Sequence, residues 1–305
     1  MTTPRLSGKK TRELPWRLHT FLDAIAFARQ IGRRLNTTTQ AITVHQFPDG
    51  ESLVRIRPPT GETAVVVRSL YDPNQKLIEV LLAADALRRS GARRVILLAP
   101  YLPYMRQDMV FSPGEPISQQ VIGTLLSRAF DGVVTLEAHL HRIQQLAEAI
   151  PCRAFSISAA PLLAAWVRRA GKKCLVVGPD AESEPWVQDI AQRAGTPWIV
   201  GRKERYGDHR VHIRFPPLPP CSRAVIVDDI ASSGVTLAVA ANTLRQHCIP
   251  TIDALIVHAI FSPGALVRIH RAGVRQILSC DTIRHATNLF RSASLLAPAL
   301  QELLS

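Results

Sequence analysis

Hydrophobic and polar residues follow one another along the chain in a rhythm that predicts strands alternating with helices. Short solid runs of apolar residues, such as 63–70 and 94–100, are typical of strands buried on both faces of a parallel sheet. Residues 76–91 carry apolar side chains at helical spacing and end at Gly91, which predicts an amphipathic helix with a glycine stop. The same rhythm predicts one more helix and one more strand in this half, at 117–129 and 132–136.

The second half of the chain repeats the rhythm. Its predicted strands cover residues 174–178, 197–201, 224–228, 254–260 and 276–279. Its predicted helices lie around residues 160–170, 184–194, 235–246 and 263–272. Because parallel strands are joined by right-handed helical crossovers, the pattern predicts an α/β protein with two mainly parallel sheets, each flanked by helices. We place the domain boundary near Ile150-Pro151, which gives a basic N-terminal extension and two domains, at residues 1–15, 16–150 and 151–305.

Length and composition agree with this picture. The chain has 305 residues, of which 47% are hydrophobic, enough for two domains that each bury a core. No stretch approaches the ~20 uninterrupted apolar residues of a membrane span, and the polar first residues lack the apolar core of a secretory signal. The five cysteines lie far apart without a C-x-x-C pair, as expected for reduced thiols. We therefore expect a cytoplasmic protein that does not contact membranes.

The net charge of +13 raises the question of nucleic-acid binding. Basic pairs are spread along the chain, at Arg33-Arg34, Arg88-Arg89, Arg93-Arg94, Arg168-Arg169 and Lys172-Lys173. Several of these pairs fall at predicted helix ends, where cations complement the helix dipole. Aromatic residues make up only 6% of the chain, so platforms for stacking single strands are not evident. We expect no nucleic-acid partner, since a phosphorylated small substrate explains the charge equally well.

Two adjacent acids, Asp228 and Asp229, end a predicted strand beside a loop suited to an anion. Loop 231–236 offers backbone N–H groups, hydroxyl groups and the positive end of the helix that begins near Val235. Carboxylates would repel a phosphate that they touched, so we place them one step away, on sugar hydroxyls or on Mg²⁺. Phosphate at the loop and hydroxyls at the acids together describe ribose 5-phosphate. The alternative is an ordinary strand-to-helix turn with capping side chains.

The segment VIVDDIASSGVTL resembles the phosphoribosyl diphosphate-binding motif of type I phosphoribosyltransferases. Further segments, in order along the chain, narrow the resemblance to the ribose-phosphate diphosphokinase family. They are FPDGESLVRI (47–56), YLPYMRQD (101–108), EPISQQVIGTLL (115–126), TLEAHLHRI (135–143), VVGPDAES (176–183), GRKERYG (201–207) and HAIFSPGA (258–265). The resemblance covers about residues 35–290 and implies two phosphoribosyltransferase-like domains, the first on the ATP side and the second binding ribose 5-phosphate.

The resemblance also implies roles for individual residues. ATP-binding positions are Phe47, Asp49, Glu51, Arg106, Gln107, Asp108 and His139. Positions that bind ribose 5-phosphate are Asp228, Asp229, Ala231, Ser232, Ser233, Gly234, Val235 and Thr236. Lys203 and Arg205 match the catalytic basic positions, and His139 and Asp180 match the metal positions, with Mg²⁺ as the implied cofactor. The implied reaction moves the diphosphoryl group of ATP to the 1-hydroxyl of ribose 5-phosphate and releases AMP, in a homo-oligomer that is a dimer or a hexamer.

Several positions depart from the pattern that the family implies. Glu137 replaces an aspartate, and Glu182 and Ser183 replace two glycines near the sugar phosphate. Ser232 stands where many members have aspartate. Val235 occupies a position usually held by glycine, and valine disfavours positive φ. Either the loop takes a negative φ there, in part, with the hydroxyls of Ser232, Ser233 and Thr236 compensating for lost amide contacts, or it binds phosphate less tightly than its relatives do.

The pair His139 and His141 has a second interpretation. An H-x-H sequence in a strand would place both rings on one face, as in some zinc sites, although no third ligand is evident from the sequence. The resemblance favours His139 as a residue of the Mg-ATP site and gives His141 no role.

Two other functions remain open at this point. The first is a catalytically weak homologue that regulates an active synthetase, which the lost glycines would allow. Retention of Lys203, Arg205 and the tandem acids argues against it. The second is a phosphoribosyltransferase acting on a base, which would not need the ATP-type segments at 47–51 and 104–108.

Overall fold

A computed structural model describes residues 15–171, 173–206 and 210–305, and of residues 204–206 and 210–211 it describes the backbone alone. The N-terminal extension at 1–15 therefore falls almost wholly outside the described residues. Within the described residues, no helix combines the length and apolar content needed to cross a bilayer.

The first sheet has seven strands in the order β3-β2-β1-β4-β5-β6-β7. These are β1 (Trp16–Phe21), β2 (Thr39–Gln46), β3 (Ser52–Arg55), β4 (Thr63–Val67), β5 (Arg94–Leu98), β6 (Gly132–Leu136) and β7 (Arg153–Ile157). All neighbours pair in parallel except β2 and β3, which form an antiparallel hairpin at one edge. The helices of this half are α1 (Ile25–Arg34), α2 (Pro73–Arg89), α3 (Ser118–Ala129) and α4 (Leu146–Ala149).

The second sheet has six strands, all parallel, in the order β15-β14-β13-β12-β8-β9. These are β8 (Cys174–Gly178), β9 (Trp198–Val200), β12 (Arg223–Ala231), β13 (Thr251–Ala259), β14 (Val274–Cys280) and β15 (Asn288–Phe290). A separate antiparallel hairpin consists of β10 (Arg202–Tyr206) and β11 (Arg210–Arg214). The helices of this half are α5 (Ala160–Ala170), α6 (Glu184–Ala194), α7 (Val235–Gln246), α8 (Ala265–Arg271) and α9 (Ala293–Leu304).

Three hydrophobic clusters fill the spaces between sheets and helices. One joins α2 and α3 to the first sheet, and another joins α7 and α8 to the second. The third is continuous across both halves, because it includes residues of both sheets together with α1, α5, α6 and α9. The last helix, α9, returns to the first sheet, where Leu303 accepts a hydrogen bond at its carbonyl from the Arg94 guanidinium at 2.7 Å.

The predicted α/β fold with two mainly parallel sheets is confirmed. The domain boundary near Ile150-Pro151 stays a prediction, and β7, which begins just beyond it, adds to the edge of the first sheet. Three of the basic pairs occupy the last turns of their helices, at Arg33-Arg34, Arg88-Arg89 and Arg168-Arg169. This placement favours the helix-dipole interpretation of the positive charge.

Candidate active site

The predicted phosphate loop joins β12 to α7. Gly234 precedes the helix with φ 73° and ψ 5°, and Val235 is the first helical residue. The positive φ therefore falls on glycine, as the stereochemistry requires, and Val235 has the negative φ of the first alternative that the sequence left open. The first N–H groups of α7 have no partner within the helix, so they face the loop as anion donors.

The backbone of this loop is held from the segment that follows β13 and from helix α8. Ser262 donates its N–H to the Ser232 carbonyl at 3.1 Å, and Arg268 donates from its guanidinium to the Ser233 carbonyl. At Gly234 the chain packs closely on α8, where an added Cβ would lie 2.9 Å from the Ile269 side chain. These contacts hold the loop on one side, and Ser232, Ser233, Gly234 and Thr236 line a small cavity.

Arg106, predicted for ATP, lies at the sugar-phosphate side as well. It borders the small cavity formed by Asp228, Ser232, Ser233 and the start of α7. Its side chain is exposed and makes no ion pair with a described residue. A guanidinium from the N-terminal half therefore faces the phosphate loop of the C-terminal half, where it can bind phosphate oxygens with two N–H donors.

The tandem acids lie in the last part of β12, which runs to Ala231 rather than ending at Asp228. Burial, together with the negative charges of Asp229 and Asp180, raises the pKa of Asp228 well above its ordinary value. Burial also opposes ionisation of Asp229, but the hydrogen bond and the charge of His139 outweigh it, so the pKa of Asp229 is lowered. Three carboxylates thus converge at the carboxyl ends of β8 and β12, where ligands of parallel sheets bind.

Lys203, a predicted catalytic residue, projects from β10 toward these acids. Its Nζ lies 3.6 Å from the Asp180 carboxylate, and the side chains are 22% and 24% exposed. The charge of the same ammonium opposes the rise in the pKa of Asp228, but burial and the neighbouring acids have the larger effect, so the pKa stays raised. The side chain of Arg205, the second predicted catalytic residue, lies outside the described residues. Both residues belong to β10, which pairs with β11. The described part of the predicted mobile loop at 201–207 is therefore one strand of a hairpin.

His139 joins the two halves of the site. Its Nδ1 lies 2.5 Å from the Asp229 carboxylate, across the cleft between the sheets. The Nε2 atoms of His139 and His141 are in contact, and His141 Nε2 lies 3.6 Å from the Glu182 carboxylate. The two rings do meet, but they lie in the loop after β6 and not in a strand, because the chain turns at Glu137. Within the described residues, no three His, Cys, Asp or Glu side chains are arranged to hold a metal ion.

Glu137 occupies the turn between β6 and His139. It has φ 39°, and its carboxylate accepts hydrogen bonds from the Ala159 N–H at 2.6 Å and the Ser158 hydroxyl at 3.1 Å. Burial raises its pKa to about 7 despite these bonds. The carboxylate therefore faces the start of α5 and acts on the shape of the turn.

The remaining predicted ATP residues lie in two places. Phe47, Asp49 and Glu51 form the tip of the β2–β3 hairpin, where Phe47 is 39% exposed and Asp49 accepts the Glu51 N–H at 3.1 Å. Gln107 accepts the Ser118 hydroxyl at 2.6 Å, and Asp108 accepts from Arg142 at 2.6 Å. No hydrogen bond or ion pair between described residues joins the hairpin tip to Arg106 or His139.

Comparison with known proteins places this geometry in a family. Residues 18–129 match the N-terminal domain of ribose phosphate pyrophosphokinase, and residues 156–286 match the phosphoribosyl transferase domain. A ribose-phosphate pyrophosphokinase of Methanopyrus kandleri is 30% identical to the chain, over 92% of this chain and 95% of that protein. The chain belongs to the ribose-phosphate pyrophosphokinase family.

Other members of the ribose-phosphate pyrophosphokinase family agree in sequence and in structure. Ribose-phosphate pyrophosphokinase 2 of Archaeoglobus fulgidus is 31% identical, over 88% of this chain and 94% of that protein. The crystal structure of phosphoribosylpyrophosphate synthetase from Mycobacterium smegmatis superposes with a TM-score of 0.83 at 25% identity, covering 94% of this chain and 98% of that one. The family indicated by the sequence motifs is therefore confirmed.

The sequence of this pyrophosphokinase-family chain did not lead to the residues that hold the backbone around the candidate site. Arg268 holds the phosphate loop, and His258, quoted within a matching segment, was given no role. A polar residue inside the apolar run 254–260 was the available signal for His258, since such a side chain needs buried partners. For Arg268 the sequence carried no signal, because arginine at that position of a helix reads as a solvated surface residue.

Proposed function

We propose that this protein transfers the diphosphoryl group of ATP to the 1-hydroxyl of ribose 5-phosphate, giving phosphoribosyl diphosphate, AMP and a proton. The observation that carries the proposal is the meeting of two half-sites. The N-terminal half contributes Arg106 and His139, and the C-terminal half contributes the phosphate loop and the tandem acids. Membership of the pyrophosphokinase family supports the same reaction.

In this proposal the 5-phosphate of the sugar binds loop 231–236, and Asp228 and Asp229 accept hydrogen bonds from the sugar hydroxyls. The 1-hydroxyl oxygen then bonds to the β-phosphorus of ATP while the bond from that phosphorus to the α–β bridging oxygen breaks. Lys203, held 3.6 Å from Asp180, and Arg205 neutralise charge on the transferred group. Positioning and charge neutralisation dominate such reactions, so these cations are expected to affect rate more than stability.

Mg²⁺ is the cofactor that we propose, held on the protein side by Asp180 and His139 near the tandem acids. The converging carboxylate oxygens fit Mg²⁺, which prefers hard oxygen ligands. The absence of a three-ligand cluster among the described side chains fits Mg²⁺ too, since this ion is commonly bound by one or two carboxylates together with substrate phosphates. When bound, Mg²⁺ would screen the phosphate charges of ATP.

Purified protein mixed with MgATP and ribose 5-phosphate tests the proposal, with AMP measured by chromatography and the product by ³¹P NMR. AMP formation that depends on ribose 5-phosphate is the expected result. Absence of AMP would favour the weak regulatory homologue. Release of diphosphate from phosphoribosyl diphosphate and a base, without ATP, would favour the phosphoribosyltransferase.

We propose further that the enzyme works in the cytoplasm as a homo-oligomer, a dimer or a hexamer, in which a second copy supplies the hairpin tip to the ATP site. Support comes from the exposed apolar side chains of the hairpin, Val44, Phe47 and Leu53, and from the lack of any bond between the described residues of the tip and Arg106. A mixture of Phe47→Ala and Arg106→Ala proteins should regain activity that neither has alone. In a mixed oligomer, one ATP site combines an unchanged Phe47 from one subunit with an unchanged Arg106 from the other. Failure of the mixture, with sedimentation showing a monomer, would contradict the shared site.

A further inference from the structure

His258 belongs to β13 of the second sheet, yet its ring lies against the end of the first sheet. Its Nε2 is 3.1 Å from the Leu136 carbonyl oxygen and 3.1 Å from the Glu137 carbonyl oxygen. Carbonyl oxygens only accept hydrogen bonds, so Nε2 must carry the proton and donate to both. The imidazole therefore ties a strand of the C-terminal half to the turn that follows β6.

The other side of the ring is also fully engaged. Nδ1 lies 2.9 Å from the Thr282 hydroxyl, and the Thr282 carbonyl accepts the Ser69 hydroxyl at 2.5 Å from the loop after β4. Tyr101 meets the ring edge to face with 4.9 Å between centroids. Burial lowers the pKa of His258 to about 4, in agreement with a neutral ring. The Thr282 hydroxyl lies within reach of both His258 Nδ1 and, at 3.1 Å, the Val257 carbonyl, so its single proton is shared between these two acceptors.

The turn held by His258 has an unfavourable backbone conformation. Glu137 has φ 39°, which residues other than glycine rarely adopt and which persists only where surrounding contacts enforce it. This reversal carries the chain to His139, whose Nδ1 lies 2.5 Å from Asp229. The carbonyl bonds from His258 act on the residues immediately before this contact.

We propose that His258 is a positioning residue for the diphosphoryl transfer. By holding the Leu136 and Glu137 carbonyls from the opposite domain, it sets the turn that presents His139 to Asp229 and so aligns the ATP side of the site with the sugar side. The proposal rests on the proposed function for its effect on rate. Its structural part, the restraint on the turn, holds independently of the reaction.

The chain offers a matched control in His19. This imidazole is also fully buried, and its Nε2 lies 3.2 Å from the Thr60 carbonyl, within the first domain alone. Burial lowers its pKa as well. Replacing His19 tests the loss of a buried imidazole as such, whereas replacing His258 also removes the link between the domains.

The variants His258→Phe, His258→Gln and His19→Phe separate the two roles. Phenylalanine keeps the ring against Tyr101 and removes the donor, while glutamine restores an N–H donor. Because a misplacement of 1 Å can cost about 100-fold, we expect His258→Phe to lower kcat/KM for MgATP by about 10- to 100-fold. The Kd for ribose 5-phosphate, measured by calorimetry, should stay within about twofold, because the hydrogen bonds that hold loop 231–236 within the described residues involve no side-chain atom of His258. His258→Gln should recover most of the rate, and His19→Phe should change neither value.

A double-mutant cycle with His139→Ala decides whether His258 acts through His139. If it does, adding His258→Phe to His139→Ala should cause little further loss, since the contact that it positions is already gone. A full additional loss would overturn the proposal, as would an equal weakening of both substrates. Should His258→Phe fail to fold, Thr282→Val provides a second test. It should also lower kcat/KM for MgATP, by a smaller factor, and an unchanged kcat/KM would overturn the proposal.

Amide hydrogen exchange distinguishes this proposal from the proposed function. Exchange at residues 137–139 should be faster in His258→Phe than in wild type, and unchanged in His19→Phe. A wild-type protein that forms no AMP would refute the proposed function, while unchanged exchange at 137–139 in His258→Phe would refute the restraint by His258.

Discussion

The substitution Gly234→Ala tests the geometry of the phosphate loop most directly. Gly234 has φ 73°, and the methyl group of alanine would lie 2.9 Å from both Cδ1 and Cγ1 of Ile269 and 3.2 Å from the Ala265 carbonyl oxygen. The substitution therefore combines backbone strain with crowding against α8. Ile269 is fully buried, so its side chain has little room to move away.

The size of the effect follows from these two contributions. A left-handed conformation costs an L-residue roughly 1–2 kcal/mol, and crowding in a packed core adds roughly 1–3 kcal/mol. We therefore expect the free energy of unfolding to fall by about 2–5 kcal/mol, unless the loop moves instead. For a domain of this size the loss corresponds to a Tm lower by roughly 4–20 °C.

Calorimetry on Gly234→Ala and on Gly195→Ala separates strain from crowding. Gly195 is also left-handed, with φ 68° and ψ 43°, but an added methyl group would meet nothing within 4 Å. Gly195→Ala should therefore show only the cost of backbone strain, and Ile269→Val should relieve part of the cost in Gly234→Ala. The KM for ribose 5-phosphate should rise only in Gly234→Ala. Equal destabilisation by the two glycine substitutions would refute the argument from crowding.

Three further predictions concern the acids, the lysine and the buried histidine. Lys203→Ala should lower kcat at least about 100-fold with little change in Tm, because its ammonium acts on charge in the transition state; near-normal AMP formation would remove it from the mechanism. Asp228→Asn combined with Asp229→Asn should weaken ribose 5-phosphate binding and leave ATP binding nearly intact. If calorimetry instead showed that ATP binding is lost and ribose 5-phosphate binding is kept, the assignment of the two substrate sites would be reversed. Burial holds the pKa of His258 at about 4 in the folded protein, against an ordinary value of 6.5. As pH falls, the unfolded chain therefore binds a proton at this residue before the folded protein does, and the free energy of unfolding decreases between pH 6.5 and pH 4. His258→Gln should reduce that slope by at most about 1.4 kcal/mol per pH unit, and denaturation curves with an unchanged slope would contradict the assignment.

The sequence predicted most of the strands and helices whose apolar residues form solid or periodic runs, although it missed α1, where Phe27, Ala28 and Ile31 are buried at helical spacing. It did not predict β1, because Arg17, His19 and Thr20 interrupt the apolar pattern. His19 and Thr20 are nevertheless buried, since their side chains reach the Thr60 and Val67 carbonyls. Hydrogen bonds to distant backbone groups thus conceal a central strand from any reading of hydrophobicity alone.

The helix α9 was missed for a different reason. Pro298 lies inside it, and proline in a helix interior argues against helix on local grounds. The helix forms because Leu296, Leu300 and Leu303 are fully buried in the cluster shared by both sheets. Tertiary packing outweighs the local preference here.

For the site, the sequence led to a set of predicted residues but not to their arrangement. Two adjacent acids before a Ser-rich loop are unusual outside sites that bind a phosphorylated sugar, so the sequence alone indicated Asp228 and Asp229. The approach of Arg106 to that loop depends on how the two domains pack, which no local pattern encodes. The contact between His139 and Asp229 depends on the same packing and on the positive φ of Glu137.

The return of α9 to the first sheet has a consequence for synthesis on the ribosome. The sheet formed by residues 16–157 lacks part of its cover until residues 293–304 are made, since Leu300 and Leu303 complete its cluster. The N-terminal domain therefore cannot finish folding until residues 293–304 have emerged from the ribosome, even though its strands emerge first. A ribosome stalled after residue 290 should accordingly hold a first domain that proteases still cut.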